Sequence, residues 1–191
     1  MRKKKIKSKV VIFLLIIIVI VYIFAYCNAR SEFNRGEVVI YEKGDTVEYG
    51  GLEYKFSAKI YTLEELMDEY GDYIKQLDYG KSEKVFILVK KQYKRIAQSD
   101  GKERRTTSYM VTSKYWGVGV EPDMQDYIQP EEYIREEELE VGESSWGYQV
   151  FSIAKCNHAK SVWNNVYNAK VYFEMPDYEG SEYLRKVELI N

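Results

Sequence analysis

The chain is poor in the residues from which most catalytic and metal sites are built. It holds one histidine, His158, which excludes a metal centre made of several histidines, and its two cysteines, Cys27 and Cys156, cannot form a disulfide framework. With three prolines and no glycine- or serine-rich tract, nothing reads as an interdomain linker. Neither a Gly-x-Ser-x-Gly elbow nor a glycine-rich phosphate loop occurs. Acidic residues are missing from the start of the chain, where no Asp or Glu precedes Glu32.

That start is basic and then apolar. Arg2, Lys3, Lys4, Lys5, Lys7 and Lys9 precede an uninterrupted run from Val10 to Cys27. At about 1.5 Å per residue this run reaches roughly 27 Å, close to the hydrocarbon thickness of a bilayer once flanking side chains snorkel. Positive charge ahead of an apolar segment keeps the N-terminus cytoplasmic. The expectation is a cytoplasmic tail over 1–9, a signal-anchor transmembrane helix over 10–27, a polar stalk over 28–36 and one extracellular domain over 37–191, held at the cell membrane by a single pass. Cleavage of the segment and lipidation at Cys27 are the alternatives. Tyr26 stands just before the cysteine, where a lipoprotein signal has a small residue.

Beyond the anchor the charge reverses. The first nine residues take six of the 28 lysines and arginines, leaving 22 against 30 acidic residues, a net charge of −8. This balance argues against nucleic acid and against docking on an acidic lipid surface. The 19 tyrosines point to strands.

Along the domain, Glu37 to Tyr41 reads as a first strand, and Thr46–Tyr49 and the strictly alternating Leu52 to Ile60 form a hairpin across Gly50-Gly51. Thr62 with Glu65 makes a capping box for a short helix through Tyr70. The unbroken Val85 to Val89 predicts a central strand covered on both faces. A turn is expected at Gln98 to Lys102 and a strand from Thr107 that ends near Trp116. The acidic stretch 121–138 reads as a surface excursion with a helical turn after Pro130. Three strands close the chain: Trp146 to Lys155, Tyr167 to Met175 and Tyr183 to Ile190. In the middle one Asn168, Lys170, Tyr172 and Glu174 share a face. Seven or eight short strands with helices confined to insertions predict an all-β antiparallel sandwich.

Within this layout, Leu139-Glu140-Val141-Gly142 through Gly147-Tyr148-Gln149-Val150-Phe151 resembles a signature of uncharacterised exported domains of Gram-positive bacteria, with Val141 where proline is usual. Gly44 to Val47, Leu52 to Phe56 and Val85 to Val89 follow the order of those domains, which are themselves similar to a secreted mycobacterial antigen. The resemblance implies an immunoglobulin-like β-sandwich in the cell envelope with no catalytic residue and no cofactor.

Candidate chemistry is sparse. Cys156 and His158 share a face if they lie on a strand, the least a cysteine hydrolase would need; a small thiol, buried or touching solvent, is the simpler reading. Asp123, Asp126, Glu131, Glu132, Glu136, Glu137 and Glu138 could supply oxygens to calcium or a carboxylate pair to a hydrolase of wall polymers, but they lack EF-hand spacing and read first as a solvated face. Tyr115 and Trp116 on a loop, with Glu136, Glu137 and Glu138, are the expected binding surface for an envelope protein or wall partner, while Trp146 is expected to pack between sheets.

Overall fold

The computed structural model describes residues 17–22, 37–77, 82–98, 110–175 and 183–190. The chain divides into two units, Met1–Gly36 and Glu37–Asn191. In the first, residues 17–22 are helical with exposed side chains. Among the described residues no helix is long and apolar enough to cross a membrane. The rest of the 10–27 segment, Cys27 and the stalk lie outside the described residues, as do 99–102 of the expected turn.

The second unit is built from two sheets. Strands β1 (Glu37–Tyr41), β5 (Met110–Thr112), β6 (Gly117–Gly119), β8 (Val171–Met175) and β9 (Tyr183–Ile190) form one, in the order β1-β9-β8-β5-β6. Strands β2 (Thr46–Tyr49), β3 (Leu52–Thr62), β4 (Lys84–Arg95) and β7 (Ser144–Ala154) form the other, in the order β2-β3-β4-β7. All described pairings are antiparallel except β1 with β9. The β2–β3 hairpin closes as its sequence requires, with Gly50 at φ 59° and Gly51 at φ 73°.

Alternation determines what each sheet buries. Tyr54, Phe56, Ile87 and Phe151 of the second sheet meet Val111, Phe173 and Val187 of the first in one core, where the Phe56 and Phe173 rings lie 4.7 Å apart. The other face of β4, Phe86 and Leu88, is buried too, with Val150, under α1 (Leu63–Tyr70), α2 (Ile74–Leu77) and α3 (Pro122–Tyr127) through Leu66, Ile74 and Met124. The Val85–Val89 run is thus the centre of a three-layer arrangement, and the helices are a packed layer with a core of their own. Helix α1 starts on the expected capping box: Glu65 N–H donates to the Thr62 hydroxyl, and the Glu65 carboxylate accepts from Thr62 N–H at 2.7 Å. Those Thr62 hydrogen bonds hold the Glu65 carboxyl below its ordinary value.

Several local expectations shift. The helix in the acidic excursion begins at Pro122, which suits N1 of a helix, whereas Pro130 opens only a turn closed by Tyr133 N–H to the Pro130 carbonyl at 3.1 Å. Residues 166–168 form a 3-10 turn, so β8 starts at Val171 and not at Tyr167. The Leu139 to Phe151 stretch has a structural reason for its glycine: Gly142 turns at φ 97° and donates to the Arg95 carbonyl at 2.8 Å.

Candidate binding site

The outer face of the five-stranded sheet carries a groove of about 1080 Å³. Strand register builds its floor. Ile40 of β1 lies opposite Lys186 of β9, Lys186 opposite Glu174 of β8 and Glu174 opposite Met110 of β5; in the next row Glu188, Tyr172 and Thr112 are neighbours. Their in-between residues Val111, Phe173 and Val187 are buried in the core, so these side chains all point outward. One wall is the β5–β6 turn, closed by Ser113 N–H to the Trp116 carbonyl at 2.8 Å, and a second is α4 (Lys160–Trp163) with the 3-10 turn after it.

Apolar, amide and cationic groups line this groove, with the carboxylates of Glu174 and Glu188 set beneath its lysines. Val38, Ile40, Val162 and Ala169 supply aliphatic surface, Tyr115, Tyr172 and Trp116 aromatic surface, Asn165 and Asn168 amides, and Lys114, Lys170 and Lys186 the charges. Two of these lysines are positioned by glutamates that sit deeper. Lys186 is paired with Glu174, which also accepts from the Thr112 hydroxyl at 2.9 Å. Lys170 reaches Glu188 at 3.2 Å, and its side chain is 61% exposed against 14% for the glutamate, so the ammonium is what a ligand meets. Lys114 stands 5.1 Å from the ring centre of Tyr115. In a domain whose charge is −9 by sequence, this is a local concentration of lysines, two of them offset by the glutamates they pair with.

The residues expected from the sequence divide here. Tyr115 is 69% exposed and lines the groove; Trp116, expected to be the exposed partner, borders the groove as well but is 7% exposed and packs in the core between the sheets. Trp146 exchanges roles with it. Its parity on β7 matches Val150 and Tyr148, so it stands on the helix-bearing face, only partly buried, with its ring edge-on to Tyr148 and the Lys90 ammonium 4.1 Å away.

Glu136, Glu137 and Glu138 are not part of this groove. They form a 3-10 turn, and Glu136 is no solvated charge: its carboxylate pairs with the buried Lys91 of β4 and accepts from the Tyr54 hydroxyl at 3.0 Å. The Arg95 guanidinium donates to the Glu136 carbonyl at 2.6 Å, and Tyr93 donates its hydroxyl to the Ile134 carbonyl. Burial pushes the Tyr93 and Tyr133 phenols well up from their ordinary value. The acidic excursion therefore supplies the counter-charge for cations that β4 carries into the sandwich end. Glu121 is likewise engaged, with Ser152. Glu137 lines a smaller depression of about 440 Å³ over Arg95, together with Glu140.

Cys156 and His158 lie on and just after a 3-10 turn, and not on a strand; the Cys156 thiol is exposed and donates to the Asn157 side-chain oxygen at 3.4 Å. Among the described residues no group of three or more His, Cys, Asp or Glu side chains is placed to hold a metal ion.

Val38, Ile40 and Lys186 escaped the sequence reading because their meeting depends on the parallel β1–β9 register. Of the expected face Asn168, Lys170, Tyr172 and Glu174, the first three line this groove, but only Tyr172 and Glu174 lie on β8; Asn168 belongs to the 3-10 turn and Lys170 precedes the strand. Comparisons with protein-family models, with curated proteins and with solved structures return no match. Fold and site together define a class only: a two-sheet β domain with short helices and a lysine-lined groove on one outer face.

Proposed function

We propose that this chain is a non-enzymatic binding module of the Gram-positive cell envelope, an immunoglobulin-like domain held outside the membrane by the 10–27 segment, with the groove over β1, β9, β8 and β5 as its binding surface. The observation that carries this reading is the groove itself, which combines exposed Val38, Ile40 and Tyr115 with three lysines, two of them seated on glutamates. Soluble domains seldom leave contiguous apolar surface uncovered without a use for it. A tether raises the local concentration of partners in the same envelope, so a modest affinity is sufficient.

A photo-reactive benzoylphenylalanine placed at Tyr172 tests the surface in living cells of the source. It should cross-link an envelope component, whereas the same residue at Glu53, on the outer side of the opposite sheet, should not. Equal yields at the two positions, or none at Tyr172, would remove the groove from the account. The hydrolase reading of the 121–138 carboxylates fares less well: Glu136 and Glu121 are committed to Lys91 and Ser152.

A further inference from the structure

The two sheets have four edges, and among the described residues β1 is the one left open, with a single charge, Glu37, at its start. The outer edge of β7 is capped in the manner of a missing strand: the Gln129 amide donates to the Tyr148 carbonyl at 2.7 Å and accepts from Tyr148 N–H at 2.9 Å, while Glu121 N–H donates to the Val150 carbonyl at 2.7 Å. Strand β6 is three residues long, and the chain leaves it at Val120 to bridge Phe151 of β7. Strand β2 has four residues and carries the exposed Glu48. After Glu37, strand β1 runs through Val38-Val39-Ile40-Tyr41 without a further charge, a proline or a bulge, and no strand lies beyond it among the described residues. Such a strand is a template for further pairing, since alternate residues turn their N–H and C=O away from the sheet.

This edge also borders the groove. Val38 and Ile40 point onto the outer face, 45% and 58% exposed, next to Lys186. A strand added at β1 would extend the floor, and its outward side chains would lie beside Val38 and Ile40 with the lysines within reach of the longer ones. Glu174 and Glu188 lie beneath Lys186 and Lys170, so the charge a ligand meets is mainly that of Lys114 and the exposed Lys170 ammonium, and the side chains that match it are carboxylates.

We propose that the module recognises an extended acidic segment of another protein, which adds to β1 as a strand and directs carboxylates onto Lys186, Lys170 and Lys114. This rests on the groove being the binding surface and names what fills it. Main-chain hydrogen bonds to β1 provide affinity, and the lysines select acidic over basic segments.

The test uses the full chain in detergent micelles and a fluorescent peptide of alternating valine and glutamate, read by anisotropy at neutral pH. The peptide should bind, and Lys186→Glu together with Lys114→Glu should weaken it by about tenfold or more, equivalent to about 1.4 kcal/mol. A copy with glutamates replaced by lysines, and a copy N-methylated at alternate residues so that it cannot pair with a strand edge, should each lose binding without any change to the protein. Equal binding of the N-methylated peptide, or displacement by polygalacturonate as effective as by the parent peptide, would overturn strand addition in favour of an anionic glycan, and the Tyr172 cross-link would survive. No peptide binding, with a dimer in sedimentation that Ile40→Asp dissolves, would overturn it in favour of a second copy of this chain.

Discussion

Glu136→Ala should be among the most destabilising surface-segment substitutions in this protein. The Lys91 ammonium and the Glu136 carboxylate are paired with side-chain exposures of 8% and 14%, so removing the acid leaves a nearly dry cation without the carboxylate it faces. Breaking a buried pair from one side costs about 3–5 kcal/mol. With a urea m-value of about 2 kcal/mol/M, the unfolding midpoint should fall by about 1.5–2.5 M. Replacing both partners by apolar groups of similar size, Lys91→Met with Glu136→Leu, removes both charges together and should bring the midpoint back to within about 0.5 M of the parent. Urea titration of the full chain in micelles, followed by tryptophan fluorescence, measures Glu136→Ala and the four corners of the cycle: the parent, Lys91→Met, Glu136→Leu and the double variant. A shift below about 0.5 M for Glu136→Ala, or a double variant as unstable as the sum of the single ones, would refute the claim that the excursion is pinned by this pair.

The exchanged roles of the tryptophans give a second prediction: Trp116→Ala should cost about 3–5 kcal/mol in the same titration, because it empties a core position, while Tyr115→Ala should change stability by less than about 0.5 kcal/mol and act on binding alone. Gly147→Ala should destabilise by about 1–3 kcal/mol, since a methyl there would come within 2.6 Å of the Gln129 side-chain oxygen and the Tyr133 ring, both part of the segment that wraps β7. Thr62→Ala should cost about 1 kcal/mol through loss of the α1 cap, seen as a lower thermal midpoint. Stability should also decline in alkali. The Tyr93 and Tyr133 pKa values are raised by burial, so their contribution is whole below the ordinary phenol value of 10.0 and is lost as pH climbs above it; midpoints measured from pH 9 to pH 12 should fall less steeply in Tyr93→Phe.

What the sequence disclosed of the fold was whatever is decided within a few residues. The capping box of Thr62 and Glu65, the Gly50-Gly51 turn and the two-sided burial of Val85 to Val89 are local, and the structure has each of them. The phase of a strand is not local. Alternation says that Trp146 and Phe151 occupy opposite faces of β7, but which face meets the other sheet depends on where α1, α2 and α3 pack, and that placed Phe151 inside and Trp146 outside. Glu136 looked like one more solvated acid because its partner Lys91 is 45 positions away. The groove was legible only in Tyr115 and in the face shared by Asn168, Lys170 and Tyr172; Lys186, Val38 and Ile40 come from β9 and β1, joined through a parallel pairing that no turn signal announces.

The most direct test of the account is the occupancy of the groove in the living cell. In full-length chains with Cys27 and Cys156 replaced by serine, Ile40→Cys reports on the groove and Lys55→Cys on the exposed outer side of the opposite sheet. Both should react quickly with a membrane-impermeant maleimide in the purified protein. If the domain lies outside as proposed, Lys55→Cys should react as quickly on intact cells as before, and Ile40→Cys should be protected by a bound partner. Equal rates at the two positions on intact cells would contradict the claim that this face is a binding surface, and silence at both would contradict its place outside the membrane.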